Sequence, residues 1–463
     1  MNHPMKDLLV LSLAMMLMVS VRGQTTSTGE YAPPQGPDHP LTMEECIAYA
    51  VANNPNIEKV RLNEASNEYR IDEVKAQGLP QVNATGQFLD NYALPEQILP
   101  GEFLGMPGED VAVTFGTRYN VSGNVEVTQM LFNKSYFTGL KAARSSQELY
   151  KLQSFSTVEE LAYNVARVYY QLQITERQRS IVEANLERIE QLLEITRVQY
   201  EEGIVKKVDV DQLRVNRTNI LTEMQRLDIS YAQQLNLLKF YMGMDMDAGL
   251  AIREETTEEP EYNLADELLL SQNTNLQLLD KQMELLRLEQ ENIKAGYFPT
   301  VSAFARYGYQ GQSQQFRFSG EDYNSFGAGT WGINLNVPIF DGLRKKNQIQ
   351  QNQVNQEKLR LDQIQTVRSA KMAFKNANNN LDQNQALIDQ QEANMELARE
   401  LYEVTRLSYR EGIAPLTELL NAETSLKEAQ TQYLTALLQL KLAELEHLKS
   451  SGRFAEIIRQ DYN

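Results

Sequence analysis

The sequence predicts an α+β membrane protein in which a long coiled-coil α-helical barrel joins a transmembrane β-barrel completed by further copies of the chain. Three observations carry that expectation. The chain contains an internal two-fold repeat, each copy contains two strictly alternating strands, and each copy contains one very long amphipathic helix.

The repeat is read from four matched stations in the same order. Asn54-Pro55-Asn56-Ile57 matches Asn273-Thr274-Asn275-Leu276, and Lys75 to Pro80 matches Lys294 to Pro299. Val125 to Asn133 matches Ile333 to Asp341, and Thr196 to Ile204 matches Thr405 to Ile413. The offsets change only where loops differ in length. The expected organisation is a signal peptide at 1–23, a mobile segment at 24–40 and a first repeat at 41–243. A linker at 244–262, a second repeat at 263–450 and a tail at 451–463 follow.

The signal peptide is expected because the apolar run from Leu8 to Val21 is shorter than the ~20 residues a spanning helix needs, while Val21 and Gly23 are small enough to precede a cleavage site. The only cysteine, Cys46, lies inside a helical pattern. It reads as a small buried apolar residue, neither a lipid anchor nor half of an internal disulfide. Residues 25–40 are rich in Pro, Gly and Thr and hence expected to be mobile.

Within each copy a first helix is expected, over 42–77 and 264–295, ended by Gly and Pro. Two period-2 runs follow. Val82, Ala84, Gly86 and Phe88 alternate with Asn83, Thr85 and Gln87; Val121, Val125 and Val127 alternate with Ser122, Asn124, Glu126 and Thr128. In the second copy Ile333, Leu335, Val337 and Ile339 alternate with Asn334, Asn336 and Pro338. One polar face of Asn, Glu and Thr suits a wet lumen better than a dry core. Tyr119, Phe132, Trp331 and Phe340 are placed towards strand ends, as membrane-interface aromatics.

Long helices are then expected over 135–202 and 343–411. Apolar and small residues such as Val367, Ala370, Phe374, Ala377 and Leu381 step by three and four, a pattern that imposes a left-handed supercoil. The seam is lean in large apolar residues, as in helices sharing contacts around a wide tube. On the helices alone, an extended structural coiled coil fits as well. Each rod breaks at Gly203 or Gly412, where Pro415 suits the first turn of the returning helix, and returns over 208–241 and 416–448.

Four strands with one apolar face cannot close a barrel, and an open edge in lipid leaves backbone groups unpaired. The chain must therefore assemble with copies of itself. A net charge of −18 disfavours nucleic acid, whose binding rests on neutralised phosphates. After the signal no run of 18 apolar residues occurs, which excludes an inner-membrane helical protein but not a barrel.

These features resemble the outer-membrane efflux protein family, the TolC-like channels, over about residues 41–447. The signature is Tyr409-Arg410-Glu411-Gly412 leading into Thr417-Glu418-Leu419-Leu420-Asn421-Ala422, with its duplicate Tyr200-Glu201-Glu202-Gly203 leading into Val208-Asp209-Val210-Asp211. The resemblance implies a homotrimer in the outer membrane of a Gram-negative bacterium, with the helical part in the periplasm. A periplasmic adaptor and an inner-membrane transporter would be its partners. Drugs, metals or secreted polypeptides would be its cargo, with small-molecule efflux favoured over type I protein secretion. A secreted coiled-coil scaffold is the remaining alternative. The resemblance also implies hairpins coiled inward at rest and an acidic constriction near their tips, matched by Glu418 and Asp209. The family's second acidic position is Asn421 here, and an expected basic partner is Ala414.

No enzyme is expected and no cofactor or metal. His3, His39 and His447 lie too far apart for a zinc site. Gly327-x-Gly329-x-x-Gly332 spells a dinucleotide fingerprint but leads into a strand, where the motif needs a helix N-terminus.

Overall fold

The computed structural model describes residues 39–100, 105, 108, 110–253, 267–320 and 323–462, the side chains of 460–462 excepted. The expected signal peptide, most of the segment 24–40 and the acidic part of the linker lie outside the described residues. Helix α1 (Met43–Asn53) and α2 (Pro55–Ala76) lead to β1 (Gln81–Asp90). Two short strands follow, β2 (Glu96–Pro100) and β3 (Asp110–Thr114), then β4 (Tyr119–Phe132), α3 (Lys134–Glu201) and α4 (Lys207–Met242). The second half runs α5 (Thr274–Ala295), β5 (Thr300–Ser313), β6 (Asn324–Asn336), α6 (Arg344–Arg410) and α7 (Leu416–Ser451), with a terminal α8 (Arg453–Tyr462).

Local chemistry sets these limits. Thr42 starts α1 through a capping box: its Oγ1 accepts from Glu45 N at 3.2 Å, while Thr42 N donates to Glu45 Oε2 at 2.8 Å. The single first helix expected over 42–77 is instead two. Pro55 has no N–H to continue α1, and Asn54 caps the new start by accepting from Asn56 N at 2.8 Å. In the second half the corresponding helix begins at Thr274, capped by Asn273 accepting from Leu276 N at 3.0 Å, rather than near residue 264. Asn133 caps α3 in the same way, accepting from Tyr136 N at 3.2 Å. At 68 and 67 residues, α3 and α6 are rods of about 100 Å at 1.5 Å per residue.

One four-stranded antiparallel sheet has the order β1-β4-β5-β6, and β2–β3 form a separate hairpin not anticipated from the pattern. Register fixes two faces. Val82, Val127, Ala305 and Trp331 lie in one row across the sheet, with Ala84, Val125, Ile333 and Leu335 on the same face. Asn83, Glu126, Arg306 and Thr330 lie in the adjacent row on the other face. Opposite each other, Glu126 and Arg306 form an ion pair on that polar face. Trp331, Ile333 and Leu335 are 82%, 63% and 65% exposed, so the apolar face is uncovered within one chain. The alternation expected through Ile339 stops at Asn336. Pro338 cannot donate to a ladder, and Gly342 and Leu343 then take positive φ to turn the chain into α6.

The helical layer repeats the order of the sheet. Rod α3 packs on α2, α4, α5 and α7, whereas the main packing of α6 is with α5 and α7. The principal core gathers α1, the middle of α3, the end of α4 and the linker around Tyr169. Tyr169 is fully buried, and its hydroxyl donates towards the carbonyls of Leu41 and Arg253, each at 3.1 Å. Cys46 sits in this core, where burial pushes its thiol up to about 12, so it is inert packing. The tail forms α8, with Phe454 and Ile458 buried in the same core. Among the described residues no helix is long and apolar enough to cross a membrane.

Candidate functional site: the channel wall and the hairpin tips

The two tips have one geometry. Gly203 and Gly412 each take φ +76°. At one tip Ile204 N donates to Gln199 O at 2.8 Å and Gly203 N to Tyr200 O at 2.9 Å. At the other, Ile413 N donates to Ser408 O at 2.8 Å and Gly412 N to Tyr409 O at 3.0 Å. A left-handed residue after the last helical turn closes orphan carbonyls, which is why glycine stands at that place in both copies. Tyr200 is 43% exposed, whereas Tyr409 is partly buried between the hairpins.

The returning helices begin differently. Asp209 accepts from Lys206 N at 3.1 Å, closing the start of α4. Its counterpart Glu418 faces Pro415, the cap residue of α7 at φ −74° and ψ 158°, which has no N–H to offer. Pro415 thus caps α7 from outside instead of occupying its first turn. Glu418 and Asn421 are exposed, and Asp209 is half-buried. Asn421 lies in a groove between α4 and α7 that also holds Asp211 and Asn219. The pattern therefore leaves Glu418 the freer carboxylate and makes Asp209 a helix cap.

The aromatic residues fall at different levels. Tyr119 opens β4 and stacks on Phe88 at 6.2 Å; Phe316 meets it edge-on at 5.4 Å. Phe132 closes β4, 40% exposed. Trp331 is not near a strand end: it lies within β6, opposite Ala305. Phe340 is beyond the strand, 80% exposed. Phe316 and Phe318, 5.0 Å apart and in contact with Phe88, complete a cluster at the end of the sheet far from the helices. The sequence pattern passed over them because they lie in a loop.

Sequence spacing also gave no sign of the residues that join the two hairpins. Glu423 of α7 is buried, 3.5 Å from Arg188 of α3, and the Arg188 guanidinium lies 5.8 Å from the Tyr402 ring centroid on α6. Burial raises the Glu423 carboxyl above the usual range, with Arg188 and then Lys427 pulling it back down only in part. Lys427 reaches the other way, to Glu223 of α4 at 2.5 Å. Apolar contacts reinforce the junction: Leu416 packs among Val182, Ile189 and Leu213, and Leu192 against Tyr402 and Leu419.

The geometry is that of an amphipathic antiparallel sheet continued by helical rods about 100 Å long. The chain belongs to the outer membrane efflux protein family, whose model matches residues 47–244 and 267–452. It is 23% identical over 431 residues to TtgC of Pseudomonas putida, described as a probable efflux pump outer membrane protein, across 89% of this chain and 83% of that one. To the alkaline protease secretion protein AprF of Pseudomonas aeruginosa it is 25% identical over 339 residues, 68% of each chain. The crystal structure of CusC, described in terms of transmembrane channel formation, superposes with a TM-score of 0.71 at 16% identity, across 92% of this chain and 95% of that one. The protein is an outer-membrane efflux channel with its helical part in the periplasm.

Proposed function

We propose that three copies form a channel-tunnel giving passive exit to small molecules delivered by an inner-membrane transporter through a periplasmic adaptor. The observation that carries this reading is the coincidence of free edges. β1 and β6 are the unpaired edges of the sheet. In the helical layer, α2 and α4 lie at one side and α6 at the other. First-half elements thus end one side of both layers and second-half elements the other. Strand directions alternate, so β6 of one copy meets β1 of the next antiparallel, and a barrel closes with every backbone group paired. The α6 edge carries exposed apolar residues at heptad spacing, Leu397 and Val404. The chain is on this reading a tandem duplication, each half building wall. The polar face with Glu126 and Arg306 lines the lumen, and Glu418, with Asn421 and Asp209 nearby, lies at the tip constriction. Tyr119, Phe132 and Phe340 mark the lipid interfaces, and the apolar face around Trp331 meets lipid.

The test is extraction into detergent, unheated gel electrophoresis and recording in planar bilayers. A heat-sensitive trimer with steady conductance is expected; a monomer without conductance overturns the proposal. The likeness to AprF favours a second reading, export of polypeptides through the same duct. Co-purification of the inner-membrane partner separates the two.

A further inference from the structure

Between the lower ends of the two hairpins lies a crevice of about 420 Å³, within the range of small-molecule sites. Its walls come from both halves of the chain: the end of α3 and its tip on one side, the end of α6 and the start of α7 on the other. The floor is apolar, with Leu192, Ile195, Val205 and Leu419 beside the Tyr402 ring. The charges are one-sided, since Arg188, Arg406 and Arg410 line it against the single carboxylate of Glu423. That carboxylate is already taken by Arg188 at 3.5 Å. Arg406 is held at 2.9 Å by Glu403, one turn back on its own helix, and Arg410 at 3.6 Å by Glu411, and neither of these acids lines the crevice. Arg406 and Arg410 keep 58% and 74% of their side chains exposed. A guanidinium has five N–H donors, so one carboxylate contact leaves most of them to a second acceptor.

We propose that this crevice binds a small anionic amphiphile, a carboxylate or sulfate head on an apolar body. The head takes donors from Arg406 and Arg410 and the body lies over Leu192, Ile195 and Leu419. A positive, apolar-floored cavity in a chain of net charge −18 selects that charge and shape against the acidic surroundings. Because both hairpins supply walls, the ligand binds this juxtaposition more tightly than any in which they part, and so biases the tips towards it. Occupancy of this site is independent of what passes through the channel.

The experiment is equilibrium dialysis of the full-length protein, held in amphipathic polymer, against laurate, dodecanol and dodecyltrimethylammonium, with empty polymer as the blank. Saturable laurate binding is expected, at least tenfold weaker in the double variant Arg406→Gln/Arg410→Gln, with no saturable binding of the cation. Laurate should also slow backbone hydrogen exchange over residues 188–205 and 402–423. Equal uptake of laurate and dodecanol, the same in wild type and double variant, overturns the proposal, because it reports partition onto the apolar sheet face. Saturable laurate binding that leaves exchange in those two segments unchanged overturns it too, since the site is then elsewhere.

Discussion

Asp209 and Glu418 occupy the same place in two equivalent turns, yet a single backbone hydrogen gives them different employment. Lys206 has an N–H for Asp209 to accept, and Pro415 has none for Glu418. In the proposed trimer, three uncapped carboxylates stand around one axis and focus cations. Glu418→Ala is therefore expected to lower cation preference in single-channel recordings, and Pro415→Ala to lower it less, by offering Glu418 a cap; unchanged selectivity in Glu418→Ala removes it from the constriction. Glu423 gives a pH dependence. Its folded-state pKa is raised, so the folded protein binds that proton more readily than the unfolded chain. The corresponding stability is present at low pH and is lost as pH rises from the ordinary glutamate range through the folded value. Glu423→Gln should be more stable than wild type at neutral pH, with the gap closing on acidification in thermal melts. Neither this residue nor Arg188 was legible as a site, since they are far apart in sequence and meet only through the packing of α7 on α3.

At the scale of elements, helix ends were largely readable because their causes are local. Asn133, Gly203 and Gly412 each act within one turn of their own position, and the long rods begin and end within a residue or so of expectation, whereas the helix capped by Asn273 starts ten residues later than expected. The misses have equally local causes. Pro55 is tolerated at a first helical turn, so the run across it looked continuous while the backbone broke at Asn54. Strands β2 and β3 are five residues each, too short to show a period, and β2 ends in Pro100. Glycine at the turns yields a graded prediction. Gly203→Ala meets no neighbour within 4 Å and loses only the left-handed backbone freedom, about 1–2 kcal/mol. Gly243, at φ +68°, would bring a Cβ within 2.5 Å of Asn53 O, so Gly243→Ala should lower the melting temperature by clearly more. Equal losses would mean that the contact between the end of α4 and the end of α1 is loose.

For the whole molecule, the legible part was the alternation of faces, which set two uncovered surfaces before any contact was known. The order in which strands and rods stand side by side was not legible, because it depends on pairings across about 200 residues. That order puts apolar heptad positions on the outer edge of α6. Leu397→Glu combined with Val404→Glu places like charges with each copy against that seam while touching little of the chain's own core. The double variant is expected to keep its helix content by circular dichroism and to lose the heat-sensitive oligomer on unheated gels. An oligomer of undiminished strength would show that α6 meets its neighbour along another face.

The bare edges of β1 and β6 also constrain how the protein is made. A lone subunit carries two rows of unpaired N–H and C=O groups beside an apolar face, a combination that hydrocarbon will not accept and that templates aggregation in water. Neither solvent suits the single chain, so on the proposed ring the subunits find each other before or during entry into the bilayer. Biogenesis of that ring is a race between closure and off-pathway edge pairing, and it slows steeply when the chain is scarce.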